Sequence, residues 1–270
     1  TGTATTSTSK LSNVATVWLR RASNSQVPRE QDKHMRSFII IAMFVASFAD
    51  AAWNDYTTVR ELKLDAEAVE VFEIDAGAGG MEVRGVSGLD TLAVIATVIV
   101  PDSNEDEAVK YIDSKMRLSL DKAGNRARLI SDFDDGMFGK GSSARIDLKI
   151  TVPAGIAIEI DDGSGSIDLV DTGADVSIDD GSGSIDAQGV ANISIDDGSG
   201  SIDVSAATGD VSIVDGSGSI SVRSVAGSVT IDDGSGSIKV KDVEQDLIVV
   251  EDGSGSFSYS DVRGAVRDDS

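Results

Sequence analysis

The phrase Asp-Gly-Ser-Gly-Ser recurs six times in the C-terminal half of this 270-residue chain, with its first glycine at Gly163, Gly181, Gly198, Gly216, Gly234 and Gly253. The spacings are 18, 17, 18, 18 and 19 residues. A period of this length marks a structural unit too small to bury its own apolar face, so the units must stack on one another. A degenerate upstream copy runs from Ile74 to Val83 (IDAGAGGMEV).

Within a unit the periodicity is two. Val176 and Ile178 alternate with Ser177 and Asp179 before the phrase, and Ile185 and Ala187 alternate with Ser184 and Asp186 after it. Each unit is therefore two short strands with one apolar face, joined at a Gly-Ser-Gly corner. Stacking aligns like residues in columns about 4.8 Å apart. The inner columns are expected to be Ile160, Ile178, Ile195, Ile213, Ile231, Val250 and Ile167, Ile185, Ile202, Ile220, Ile238, Phe257. Val170, Val190, Val225, Val243 and Val262 are placed on the remaining side of the coil as plugs. A hairpin meander would not repeat one corner with one inward register. The fold class is thus all-β, a parallel β-solenoid of about seven rungs, right-handed because parallel crossovers prefer that hand.

Arg84 to Ile150 breaks the repeat. Leu92–Val100 reads as a buried strand ended by Pro101, and Ser103 as the cap of a short helix with Ala108, Val109, Ile112 and Met116 on one face. Arg117–Leu120 and Ala127–Ile130 read as a hairpin around Gly124. Asp132–Ser143 is a glycine-rich loop without the order of a phosphate-binding loop, and Arg145–Val152 returns to the coil. The insertion is expected to cover one open end of the stack, since a bare sheet edge invites mispairing.

From Met35 a secretory signal reads in the right order: Arg36, an apolar run Phe38–Phe48, then Ala49-Asp50-Ala51 as a cleavage site. The expected organisation is an upstream non-domain segment at 1–34, a signal at 35–51, a strand and cap region at 52–150 and a six-rung solenoid at 151–270. Mature protein would start at Ala52, in the periplasm, on the outer surface or secreted. No later segment is apolar and long enough to span a bilayer as a helix.

Downstream of the signal stand 17 basic and 43 acidic residues. Such a surface repels nucleic acid. The one histidine, His34, lies upstream of the expected cleavage, and there is no cysteine, so neither His-based nucleophilic catalysis nor thiolate metal sites are open to the mature chain. Carboxylates abound, but they recur in every rung, whereas a catalytic pair needs one distinctive cluster. The reading is non-enzymatic, with no catalytic residues and no required cofactor.

Two acidic columns flank the corner. Asp162, Asp180, Asp197, Asp215, Asp233 and Asp252 are aimed by strand parity at the corner, where each can accept hydrogen bonds from nearby Gly or Ser amides as in an Asx turn. Their neighbours Asp161, Asp179, Asp196, Val214, Asp232 and Glu251 point outward. This second column is either a solvated repulsive face or a Ca2+-binding ladder, in which Asp161, Asp179, Asp196, Asp232 and Glu251 would supply oxygen ligands. Ser166, Ser184, Ser201, Ser219, Ser237 and Ser256 form an outward polar column.

The order of features resembles the bacterial putative-adhesin family of exported β-solenoids, related to the head-GIN type domains. The matching pieces are Val71–Val83 (VFEIDAGAGGMEV), the helix-bearing insertion, Ile150-Thr151-Val152-Pro153-Ala154-Gly155 and the repeated I-D-D-G-S-G-S-I, over about Val69 to Val266. The resemblance implies a solenoid of the cell envelope that contacts an envelope protein or polysaccharide, with self-association also open, and transfers no catalytic residues.

Overall fold

The computed structural model describes residues 55–134 and 144–269. The expected signal, the segment upstream of it and most of the glycine-rich loop lie outside the described residues. Those described form nineteen strands and one helix.

Two sheets face each other across one continuous core. In the first, strands run in the order β1 (Tyr56–Asp65), β4 (Thr91–Val100), β7 (Arg145–Pro153), β3 (Met81–Val86), the second half of β8 (Ala157–Val170), then β10 (Gly183–Gln188), β12 (Gly200–Ala207), β14 (Gly218–Val225), β16 (Gly236–Val243) and β18 (Ser256–Val262). In the second the order is β5 (Met116–Ala123), β6 (Arg126–Phe133), β2 (Val71–Ala78), the first half of β8, then β9 (Val176–Asp180), β11 (Ile193–Asp197), β13 (Val211–Asp215), β15 (Val229–Asp233), β17 (Leu247–Glu251) and β19 (Val266–Asp268). From β2 and β3 onward every pairing is parallel, and equivalent residues of successive rungs face each other. This is the parallel β-solenoid that the repeat dictates.

The inner columns are dry. Ile167, Ile185, Ile202, Ile220 and Ile238 stack in one sheet and Ile160, Ile178, Ile195, Ile213 and Ile231 in the other, all buried. Identical β-branched side chains at strand spacing fill the narrow core without aromatics.

The last member of the second column differs from the expectation. Val249, not Val250, continues it, because the register slips between Ile231 and Asp232. The final spacing of 19 residues is absorbed as a bulge, and Val250 is turned out to solvent at 45% exposure. The plug column is also corrected. Its members are Thr172, Val190, Ala207, Val225, Val243 and Val262, whereas Val170 lies opposite Gln188 on the outer side. The reason is a left-handed corner one residue before the plug. Asp171, Gly189, Ala206, Ser224, Asp242 and Asp261 there have φ between 55 and 71°, and the turn they make sends the following side chain inward.

The insertion extends both sheets at the N-terminal end: β6 and β7 join β2 and β3 in parallel, and β5 and β4 add to them antiparallel. The helix α1 (Glu105–Lys115) joins β4 of one sheet to β5 of the other and puts Ala108 and Ile112 into the core. Its cap is Asn104 rather than Ser103: the Asn104 side chain accepts from the Glu107 amide, while the Ser103 hydroxyl donates to the Pro101 carbonyl. Of the expected helical face, Ala108 and Ile112 are buried and Met116 packs on the core, whereas Val109 is exposed. The expected buried strand is buried on one face only, with Ile95 outward at 44% exposure. The hairpin forms as expected, turning at Gly124 with φ 65°.

At the opposite end Phe257 and Tyr259 occupy the inner positions of β18, in register with Ile238 and Val240. Their rings stack at 5.4 Å. Tyr259 remains 52% exposed, because no further rung covers it among the described residues.

Candidate binding faces and the corner column

The corner carries two glycines for two different reasons. At the first, as in Gly198, φ is not in the left-handed region, but a Cβ would lie 2.5 Å from the Gly181 carbonyl oxygen of the rung below. At the second, as in Gly200, φ is +154° and a Cβ would lie 1.5 Å from the Gly183 carbonyl oxygen. Positive φ thus belongs to the second glycine in the stacked rungs; only the last copy has it at the first, Gly253, with φ 50°.

This approach drives the corner aspartates inside. Asp162, Asp180, Asp197, Asp215 and Asp233 are 0–4% exposed. In four of them Oδ1 accepts from the serine amide two residues on: Ser182 to Asp180 and Ser199 to Asp197 at 3.1 Å, Ser217 to Asp215 and Ser235 to Asp233 at 3.0 Å. The Oδ2 atom of all five is buried without a hydrogen-bond partner. Burial pushes every one of these carboxyls upward in pKa: Asp162 to about 7, with the Asp180 charge adding, and Asp215 to about 6. Asp180, Asp197 and Asp233 move in the same direction for the same first cause, partly opposed by the serine amide. The sixth, Asp252, is only half-buried, and its carboxylate accepts no such bond. The corner is therefore a file of carboxyl groups one strand spacing apart, short of half its partners.

Outside, Asp75, Asp161, Asp179, Asp196, Val214, Asp232 and Glu251 follow one another along the second sheet. Val214 is exposed at 46% and interrupts the line. Among the described residues no three acidic side chains converge closely enough to hold a metal ion. A straight file offers a cation two neighbours at a time, far short of the six to eight oxygens that Ca2+ takes. Beside the file run Ser177, Ser194, Ser212 and Thr230. The serines from Ser166 to Ser256 line the first sheet next to the corner, and there Ser256 donates to Ser237 at 3.2 Å.

Among the described strands of the second sheet, positive charge stands only at the two ends, in β5, β6 and β19. Arg126 pairs with Glu73 and Glu159, and Arg128 with Asp75 at 2.8 Å. On the first sheet Asp168, Asp186 and Asp203 stack, and Arg223 pairs with Asp203 at 2.6 Å. The Asp186 carboxyl is raised by partial burial and by Asp203 and Asp168 on either side.

A further feature carries no obvious mark in the sequence. Just before the second-sheet strands, Asp175, Asn192, Asp210 and Ser228 form a side-chain ladder. Asn192 donates to Asp175 through its side chain at 2.8 Å, the Asp210 amide to Asn192 at 2.8 Å and the Ser228 amide to Asp210 at 2.8 Å. Between this ladder and the Ser194–Ser212 row lies an open groove of about 420 Å³, lined also by Val176 and Ile193. A polar residue at one position of each unit was the available signal; its varied identity hides it.

No family model matches the sequence, and no curated protein does. Solved structures do. A putative cell adhesion protein from Clostridium sporogenes is similar at 12% identity, covering 80% of this chain and 100% of its own with a TM-score of 0.36. A putative adhesin from Bacteroides fragilis is similar at 12% identity over 78% and 96% of the two chains, TM-score 0.38. A putative lipid binding protein from Parabacteroides distasonis is similar at 14% identity over the same shares, TM-score 0.37. At such overlaps these likenesses decide nothing about the ligand of this chain.

Proposed function

We propose that the chain is an exported, non-enzymatic binding module of the bacterial envelope that holds a neutral or cationic polysaccharide along its second sheet. The observation that carries this reading is the groove between the Asp175–Asn192–Asp210 ladder and the Ser194–Ser212 row. It runs along the stack rather than across it, so it repeats its donors and acceptors at one strand spacing, as a polymer of hydroxylated units requires. Asp161, Asp179, Asp196 and Asp232 beside it form no ion pair among the described residues, so anionic polymers are disfavoured. The acids repeat along the rungs in place of one distinctive cluster, which supports binding over catalysis.

The test is retention of the full chain in native gels containing a neutral glucan, an amino-sugar polymer or an anionic uronate polymer. Retardation by the first or second and not the third is expected, lost in Asn192→Ala/Ser194→Ala with unchanged unfolding. Retardation by the uronate polymer alone, or equal retardation of the variant, would sink the assignment. Export is checked separately by N-terminal sequencing of protein from envelope fractions, with Ala52 as the expected first residue.

A further inference from the structure

Each corner contains an Asp-Gly dipeptide, the sequence in which a backbone amide most easily attacks the preceding side-chain carboxyl. The attack needs the glycine nitrogen free of other engagements and a carboxyl able to swing onto it. In four of the stacked rungs the nitrogen is held by the rung below and the carboxyl is buried. Gly181 donates its amide to the Asp162 carbonyl at 3.0 Å, Gly198 to Asp180 and Gly216 to Asp197 at 2.9 Å, and Gly234 to Asp215 at 2.8 Å. The matching carboxylates are buried and pinned by the serine amides. Asp162-Gly163 lies within the continuous strand β8, flanked by paired strands on both sides.

The sixth corner departs in its backbone conformation and in the exposure of its carboxylate. Gly253 has φ 50° and pairs with Ser235 in an antiparallel bridge, out of the parallel register. Asp252 is half-buried, follows the Val250 bulge, and accepts no hydrogen bond among the described residues. Among the described residues no further rung stacks on this corner.

We propose that Asp252-Gly253 is a site of spontaneous aspartate isomerisation, and that stacking protects the other five copies. In the step, the Gly253 nitrogen forms a bond to Cγ of Asp252, and the carboxyl hydroxyl leaves as water with the amide proton. The resulting succinimide then takes up one water. When the bond between the Asp252 main-chain carbonyl carbon and the Gly253 nitrogen is the one that breaks, the chain continues through Cγ. The product has unchanged mass and one extra backbone carbon at the corner. That carbon shifts β18 against β16, so the terminal rung loosens while the other five keep their register.

The experiment follows isoaspartate by peptide mapping with fragmentation that marks the altered backbone. The full chain is held for weeks in neutral buffer, natively and in concentrated urea. Natively, isoaspartate at Asp252 should accumulate at least about tenfold faster than at Asp180, Asp197, Asp215 or Asp233, since those corners react only through local opening. In urea the six sites should converge. Equal native rates would overturn the proposal, as would a preference for Asp252 that persists undiminished in urea, which would place the cause in local sequence. Faster reaction at Asp162 or Asp215 would overturn it too, because those carboxyls most readily keep the proton that assists loss of water, and would show that protonation outweighs the backbone bond.

Discussion

Raising the pH should weaken this solenoid over a range where most proteins gain stability. The carboxyls of Asp162 and Asp215 titrate at about 7 and about 6 in the folded chain, against an ordinary value of 3.8. Below the ordinary value both folded and unfolded chains hold the protons, and the column costs nothing. Between that value and the folded one, the unfolded chain releases its protons while the folded chain retains them. Stability then drops by about 1.4 kcal/mol per group for each pH unit, and above the folded value the loss is complete. The two shifts correspond to upper limits of about 4 and about 3 kcal/mol, reduced where water reaches the corner. Asp180, Asp197 and Asp233 shift in the same direction. A net loss of at least ~3 kcal/mol from pH 4 to 7 is the expectation. Self-repulsion of the acidic faces acts in the same sense, so a variant must separate the two. Asp197→Asn keeps an oxygen for the Ser199 amide and places an NH2 beside the unpartnered oxygens of its neighbours. It should gain about 1–3 kcal/mol over wild type at pH 8 and little at pH 4. Urea midpoints of both proteins across this range decide the matter. Wild type more stable at pH 7 than at pH 4, or Asp197→Asn equally harmful at both, would refute the buried-carboxyl argument.

Three other outcomes follow from the same geometry. Gly200→Ala puts a Cβ at a φ of +154° and 1.5 Å from a carbonyl oxygen; a loss above about 2 kcal/mol is expected in urea unfolding, from strain and forced rung separation. Thr172→Val should stabilise by about 1 kcal/mol in the same assay, because its buried hydroxyl has no partner in a column otherwise filled by valine and alanine. Asp196→Asn on the exposed file should lie within ~0.5 kcal/mol of wild type, with calcium and with chelator alike; a calcium-dependent gain in wild type that this variant loses would restore the file as a metal ladder.

The solenoid was legible because its determinants are local and repeated. Period-two alternation set the faces, and the recurring corner set the register, so the isoleucine columns could be written down rung by rung. What escaped depends on backbone states that residue type does not announce. Five of the six left-handed corner residues are not glycine (Asp171, Ala206, Ser224, Asp242 and Asp261), so the shift that puts Ala207 and Thr172 among the plugs, and Val170 outside, leaves no mark. The extra residue of the last unit was visible as a spacing of 19, but either Val249 or Val250 satisfies the pattern until the pairing is seen. Of the site, the inward aim of the corner aspartates followed from parity alone. Their missing second partner did not, because it depends on how closely one corner sits on the next. The Asp175–Asn192–Asp210 ladder escaped because it conserves a hydrogen-bonding role and not a residue.

The order of strands along the two sheets also has a mechanical meaning. β1 lies at one extreme of the stack and β19 at the other, and the hydrogen bonds between rungs run along the line joining them. Tension applied through the two ends of the described chain therefore loads those bonds in series, as in a zipper, and not in parallel, as in a sheared pair of strands. The last described rung, β18 and β19, takes the strain first. Each rung that peels away releases about 18 residues, or roughly 60 Å of extended chain, for the loss of one ~4.8 Å layer. Under load such a molecule lengthens in small equal steps at modest force, with the peeled rungs free to rewind when the pull relaxes.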